Sequence, residues 1–84
     1  MENKYYKFRT EEDMNNIINT IEKEGYNRIG IERATFEEIK KGFPRNKIYV
    51  INCFYNYINN KLEYTFTTTQ ILKTYGRDKI KFSN

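Results

Sequence analysis

Catalysis by a cysteine or a serine is the first chemistry to test, and this chain has few residues for it. Cys53 is the single cysteine among 84 residues, and there is no histidine to lower the pKa of its thiol. Its place in an apolar stretch with strand-like alternation favours packing in the core. Ser83 lies outside the elements predicted below. We therefore expect no catalytic nucleophile.

Paired carboxylates are the second candidate, and most of them have a structural explanation. The helix macrodipole stabilises acidic residues in the first turn of a helix. Five carboxylates belong to predicted first turns: Glu11, Glu12, Asp13, Glu37 and Glu38. Glu63 is different, because it is expected on a strand opposite Asn56. It is either a solvated strand carboxylate or the polar centre of a site.

Phosphate-binding loops and metal sites are also missing from the sequence. Neither GxGxxG nor GxxxxGK followed by Ser or Thr occurs. With no histidine and a single cysteine, the usual zinc ligand sets are not available. We therefore predict no metal, no cofactor and no enzymatic activity, and expect a protein that acts by binding.

Basic residues beside aromatic ones are the chemistry that remains. The chain has 15 Lys and Arg against 11 Asp and Glu, a net charge of +4. This balance favours anionic partners, although a lysine-rich solvated surface explains it equally well. Part of the set clusters around the Phe43-Pro44 turn, and part lies near the two ends of the chain. The predicted binding residues are Lys7, Arg9, Lys40, Lys41, Arg45, Lys47, Phe54, Asn56, Lys79 and Lys81.

A long β-hairpin from Lys47 to Thr67 is the element that must position these side chains. Asn59-Asn60 suits a two-residue turn, because asparagine tolerates the left-handed conformation that such turns require. This turn pairs Tyr55 with Tyr64. One face of the hairpin is then apolar and is predicted to be core: Tyr49, Ile51, Cys53, Tyr55, Tyr57, Leu62, Tyr64 and Phe66. The other face, where a ligand would be met, carries Phe54, Asn56, Glu63 and Thr65.

The segments before the hairpin carry clear start and stop signals. Lys4 to Arg9 alternates as a strand does. Thr10 is a helix N-cap, and Gly25 ends the helix after an apolar stripe of Met14, Ile17, Ile18 and Ile21. Tyr26 to Glu32 is a short strand candidate with Ile29 and Ile31 inward. Thr35 and Glu38 form a capping box for a helix through Lys41, which Gly42 ends before a turn at Phe43 to Asn46.

After the hairpin, Thr67 to Gln70 resembles a capping box for a third helix that ends at Gly76, and Lys79 to Phe82 alternates as a last strand. The order β-α-β-α-β-β-α-β over residues 1–84 predicts a single α+β domain. We expect a two-layer sandwich, with a mostly antiparallel sheet built on the central hairpin (47–67) and the helices on one face. A split β-α-β variant with the second helix in an insertion is the competing layout.

The strand order decides whether the basic residues share a surface. If the first and last strands flank the hairpin, Tyr5, Lys7 and Arg9 lie on one exposed sheet face with the polar face of the hairpin and with Lys79 and Lys81. Basic side chains interleaved with rings suit a single-stranded nucleic acid or a nucleotide. A lysine-rich solvated rim accounts for the same residues.

The expected compartment is the cytoplasm. No apolar run approaches the ~20 residues that span a bilayer. The opening residues MENKYYKF contain no apolar region of the signal-peptide type, and a lone thiol fits a reducing environment.

The outline of the chain resembles small proteins carried by bacteriophages of AT-rich Gram-positive hosts. The matching segments are Thr10-Glu11-Glu12, Gly25-Tyr26, Asn60-Lys61-Leu62-Glu63-Tyr64, Tyr75 and Ile80-Lys81-Phe82, whereas Asn27-Arg28 replaces the Trp common after Gly-Tyr. The resemblance implies a phage or mobile-element accessory protein. Such proteins often antagonise host immunity by binding a CRISPR effector or a signalling nucleotide. The matched positions are caps, turns and core, so they assign no site residue.

Together these observations predict a non-enzymatic binding protein that inhibits a bacterial defence system in the host cytoplasm. Its expected partner is an immune effector protein or the anionic ligand of that effector, a guide RNA or a nucleotide. A basic surface argues against imitation of DNA, which requires an acidic one. The alternative is a small basic nucleic-acid-binding regulatory protein.

Overall fold

The computed structural model describes residues 3–29, 35–76 and 80–84, and they form an α+β fold. The elements are β1 (Lys4–Phe8), α1 (Glu11–Lys23), β2 (Asn27–Arg28), α2 (Phe36–Gly42), β3 (Tyr49–Asn56), β4 (Lys61–Thr67) and α3 (Thr69–Thr74). The predicted class is confirmed, and the predicted order is broadly matched. The predicted last strand is not formed by residues 80–82, and Lys79 lies outside the described residues.

One mixed sheet of four strands has the order β1-β3-β4-β2. The hairpin of β3 and β4 is central, as predicted, with β1 antiparallel to β3 and β2 parallel to β4. Residues 80–84 run along the outer edge of β1. There the Ser83 amide donates to the Tyr5 carbonyl oxygen at 2.8 Å, and the Asn84 side chain bonds both backbone groups of Lys7.

The hairpin register is shifted by two residues from the predicted one. Tyr64 faces Cys53 rather than Tyr55, and the loop spans four residues, 57–60, instead of two. The strand stops early because the Asn56 side-chain oxygen accepts the Ile58 amide at 2.9 Å. Among the described non-glycine residues, Asn60 has a positive φ (57°) and Asn59 does not. Because a shift of two preserves the alternation, each paired side chain keeps its predicted face.

The apolar face of the hairpin forms the main core under α1 and α2. The buried members are Phe8, Met14, Ile21, Tyr26, Ile39, Tyr49, Ile51, Cys53 and Tyr64. Aromatic rings dominate it, and Phe8 contacts the rings of Phe36, Tyr49 and Phe66 at centroid distances of 5.5–6.3 Å. Tyr57 was predicted to be core, which is wrong: it lies in the hairpin loop and is 72% exposed. Tyr55 was also predicted to be core, but it is half-buried and packs on the Tyr57 ring, outside the core.

The helices begin at N-caps that the sequence predicted, except that the N-cap of α3 was predicted one residue too early. Thr10 caps α1 by accepting the Asp13 amide at 3.2 Å, and Gly25 follows the C-cap with φ of +100°. The predicted capping box of α2 is present in both directions. The cap of α3 is Thr68 instead of Thr67, because Thr67 is still paired with Val50 in the sheet.

The third helix lies on the face of the sheet opposite α1 and α2, so the helices are not confined to one face. Leu72 packs against Tyr5 and Val50, together with Ile80 and Phe82 of the final segment. Tyr5 and Val50 project away from the main core, and they need an apolar cover of their own. α3 supplies it directly, because a single residue separates it from β4.

Strand β2 is shorter than the strand predicted from Tyr26 to Glu32. It has two residues, and Ile29, expected inward, is 45% exposed. Ile29 stays attached through its amide, which donates to the Tyr64 carbonyl at 3.1 Å; Ile31 lies outside the described residues. None of the described helices is both long and apolar enough to cross a membrane.

Candidate anion-binding site

Three cations from three different segments line one cleft. Arg9 follows the last residue of β1, Lys40 lies in the last turn of α2, and Lys47 precedes β3. The cleft has a volume of about 360 Å³, and its remaining lining residues are Phe36, Pro44, Asn46 and Tyr49. None of these lining residues carries a carboxylate, so the cleft is electropositive.

The wall of this cleft is held by two aromatic residues. The rings of Phe36 and Tyr49 pack edge to face at 6.1 Å. The Tyr49 hydroxyl donates to the Asn46 carbonyl oxygen at 2.9 Å, which ties the turn before β3 to the core. Tyr49 is buried and Phe36 is half-buried. The cations therefore stand on a rigid base.

The cations themselves are weakly neutralised by the rest of the chain. Lys40 Nζ lies 3.8 Å from the Glu37 carboxylate, in an exposed i,i+3 pair that contributes little. The same ammonium lies 5.6 Å from the centroid of the Phe36 ring. Within the described residues, neither Arg9 nor Lys47 forms an ion pair. Their charge is available to an anion.

The other predicted binding residues are distributed around the molecule. Lys7 lines a second cleft together with Arg9. Lys41, Arg45 and Lys81 are exposed and line none of the described clefts, and Lys79 lies outside the described residues. The single basic sheet face considered above is not formed, because α3 and the final segment cover Tyr5.

The polar face of the hairpin has a structural role around Glu63. Its two carboxylate oxygens accept the side-chain amides of Asn56 at 2.7 Å and Asn59 at 3.3 Å. Glu63 pairs with Phe54 in the sheet rather than with Asn56, but the predicted contact with Asn56 is made diagonally. Phe54 and Asn56 are half-buried beside it. These bonds fix the loop and leave no carboxylate oxygen of Glu63 without a donor.

The Cys53 thiol is fully buried in β3. Burial raises its pKa from 9.0 to about 12, and the Glu24 carboxylate acts in the same direction. At neutral pH the thiol is protonated and inaccessible, so it has the properties of a core residue. Across the described ranges, no three His, Cys, Asp or Glu side chains converge as metal ligands.

Phe36, Asn46 and Tyr49 belong to the cleft but were not predicted as site residues. The sequence did contain a signal for Phe36: it lies four positions before Lys40 in a predicted helix, so the two side chains share a face. Asn46 and Tyr49 enter only through the turn geometry. The chain matches no protein-family model, and neither a curated protein nor a solved structure is significantly similar to it.

Proposed function

We propose that this chain is a non-enzymatic protein that inhibits a bacterial defence system by binding an anionic component of it. The binding surface is the cleft of Arg9, Lys40 and Lys47, and the component is a guide RNA or a signalling nucleotide. The convergence of three cations on a cleft without a carboxylate is the observation that carries this proposal.

The three side chains suit phosphate in complementary ways. The Arg9 guanidinium presents a planar fork of donors that can bind two phosphate oxygens at once. Lys40 and Lys47 act as compact point charges on flexible stems. A pocket with charge of one sign and apolar walls also concentrates the field and speeds the approach of an anion.

A binding role rather than a catalytic one fits the groups that could do chemistry. Cys53 is protonated and buried. Glu63 is bonded by two amides. Asp13 and Glu38 serve the first turns of α1 and α2. The setting in a phage accessory protein rests on the resemblance described above.

The direct test is phage challenge of bacteria that carry a panel of defence systems, with this protein co-expressed. We expect wild-type protein to restore plaque formation against one system. A triple variant, Arg9→Ala with Lys40→Ala and Lys47→Ala, should lose that effect.

The matched control removes three exposed lysines outside the cleft, Lys23→Ala with Lys61→Ala and Lys73→Ala, and changes the net charge equally. It should retain protection. Failure of the wild type against every system would sink the defence role. Equal loss in both triple variants would show that overall charge, and not the cleft, is responsible.

The alternative function is a basic nucleic-acid-binding regulator, and the half-buried Phe36 ring in the same cleft favours it. It predicts binding to host DNA or RNA that needs no defence component. A gel-shift experiment at low salt with total host nucleic acid tests this. Absence of any shift would rule it out.

A further inference from the structure

The basic surface continues beyond the first cleft. Arg9 also lines a second cleft of about 190 Å³. The other residues that line it are Lys7, Phe8, Asp13, Ile48 and Asn84. Lys7 Nζ lies 5.4 Å from the centroid of the Phe82 ring, which holds the ammonium beside the final segment. Arg9 is thus shared by two adjacent electropositive depressions.

The first cleft lies on the main-core side of the β1–β3 pair, and the second spans the end of β1, because Phe8 of the main core lines it together with Lys7. Tyr49, in the first cleft, belongs to the core under α1 and α2. Lys7, in the second, is paired with Val50, which belongs to the cluster on the opposite face. Arg9 follows the last residue of β1, between these faces. Lys40, Lys47, Arg9 and Lys7 therefore form a basic track that turns around the end of the sheet.

Building on the function proposed above, we infer that the anionic partner is a single-stranded nucleic acid whose backbone follows this track. A mononucleotide would need one cleft only, and a second cleft joined through a shared arginine would add nothing to its binding. A duplex is too stiff to turn from one face of the sheet to the other within so small a protein, since its persistence length is about 150 base pairs. A single strand makes such a turn readily.

The aromatic wall supports the same ligand class. The half-buried Phe36 ring lines the first cleft with the Lys40 ammonium over it. A ring beside a line of cations is the arrangement that proteins use to bind single strands without sequence preference, by stacking on bases while cations follow the phosphates.

One residue on the track opposes an anion. Asp13 lines the second cleft, where its carboxylate repels a passing phosphate. Asp13→Asn removes this charge at nearly constant volume. It should therefore tighten binding several-fold, in contrast to every substitution of a cation on the track.

The test is fluorescence anisotropy at low salt with a labelled oligothymidylate of about eight nucleotides. Thymidine monophosphate, a duplex of equal length and polyglutamate serve as competitors. We expect the oligomer to compete at least tenfold better than the mononucleotide and better than the duplex. Four phosphate contacts to a single strand give a slope of log K against log salt of about −3.

Single substitutions distinguish binding along the whole track from binding in the first cleft alone. Lys7→Ala should weaken binding of the oligomer and make the slope of log K against log salt shallower by about 0.7. Competition by the mononucleotide should be unchanged. Lys40→Ala should weaken the binding of both ligands. Lys73 is an exposed lysine on α3, and Lys73→Ala should weaken the binding of neither. Asp13→Asn should increase the affinity for the oligomer, and a misfolded variant would not show such an increase.

The outcomes distinguish this inference from the function on which it rests. If the mononucleotide competes as well as the oligomer, the track is wrong and the cleft remains an anion site. If the duplex competes equally, the single-strand assignment is wrong. If polyglutamate competes best, the partner is an acidic protein. Phage protection that depends on the cleft, with no oligomer binding, would also overturn the track.

Discussion

Burial in the hairpin determines the acid–base behaviour of Cys53. Its pKa is raised from 9.0 to about 12, mainly by burial and secondarily by Glu24. Above about pH 9, the unfolded chain loses this proton while the folded chain keeps it. An acid with a raised pKa in the folded state binds more protons there, so its contribution to stability falls as the pH rises.

We therefore expect the free energy of unfolding of the wild type to fall faster with pH than that of Cys53→Ala. The difference should begin near pH 9, about the ordinary pKa of the thiol, and reach up to ~1.4 kcal/mol per pH unit. Urea denaturation of both proteins at several pH values measures it. Parallel pH profiles would mean that the thiol is exposed to water.

Asn52 makes a second prediction for a single residue. Its side-chain oxygen is buried and accepts no hydrogen bond from the described residues. Leucine has nearly the same shape without the polar group, so Asn52→Leu should raise the free energy of unfolding by about 1 kcal/mol. Chemical denaturation measures this change.

Asn56 provides the matched control for that substitution. Asn56 lies on the same strand and donates to Glu63 at 2.7 Å, so Asn56→Leu leaves a carboxylate oxygen without its donor and should destabilise the protein by about 1–3 kcal/mol. Destabilisation by Asn52→Leu as well would indicate that a bound water satisfies the oxygen.

Among the elements, α2 has the most direct effect on the candidate site. It has seven residues and is too short to be stable without its caps. The Thr35 hydroxyl accepts the Glu38 amide at 3.2 Å, and the Glu38 carboxylate accepts the Thr35 amide at 3.1 Å. These bonds hold Phe36 and Lys40 in place, so the capping box acts on the cleft through the helix.

Thr35→Ala should therefore reduce both stability, by about 1 kcal/mol, and affinity for oligothymidylate, by several-fold. Thr68→Ala removes the equivalent cap of α3, which lines neither basic cleft. It should reduce stability without changing affinity. Chemical denaturation measures the stability of both variants, and fluorescence anisotropy measures their affinity. Equal affinities would mean that the cap of α2 does not affect the binding site.

For the whole molecule, the placement of α3 covers the region around Tyr5 and Val50 on the second face of the sheet. Leu72 is buried against Tyr5 and Val50. Leu72→Ala should cost about 2–4 kcal/mol, because a buried leucine is replaced by a cavity. Tyr75→Ala, at a 77% exposed position on the same segment, should change the stability by less than about 0.5 kcal/mol.

Thermal or urea unfolding of the two variants tests whether this second cluster exists in solution. A cost for Leu72→Ala as small as that for Tyr75→Ala would mean that α3 does not pack on the sheet. In that case the face carrying Tyr5 and Val50 would be open to a ligand after all.

Local sequence signals were sufficient for most of the elements. Thr10 and Thr35 were identified as caps because a cap depends on side chains three residues apart. The faces of the hairpin were assigned correctly although the register was not, since the two-residue error left the alternation intact. The turn was misplaced because Asn56 captures the Ile58 amide, a side-chain bond that competes with the turn chemistry of Asn59-Asn60.

The site was predicted only in part. Arg9, Lys40 and Lys47 were all chosen as binding residues, but with seven others and without a reason to group these three. Phe36 was not chosen, although it lies four positions before Lys40 in the predicted helix. The side of the sheet on which α3 lies had no signal, since Leu72 is apolar in either arrangement.

The sequence by itself determined where α1 and α2 begin, which side chains share a face of the hairpin, and that Cys53 lies on the apolar face. These depend on neighbours along the chain, within reach of helical and strand periodicity. The tertiary structure alone decided that Arg9, Lys40 and Lys47 meet in one cleft and that Arg9 joins it to the cleft of Lys7. Their convergence depends on how the ends of β1, α2 and β3 pack together, and periodicity carries no record of contacts between residues so far apart in the chain.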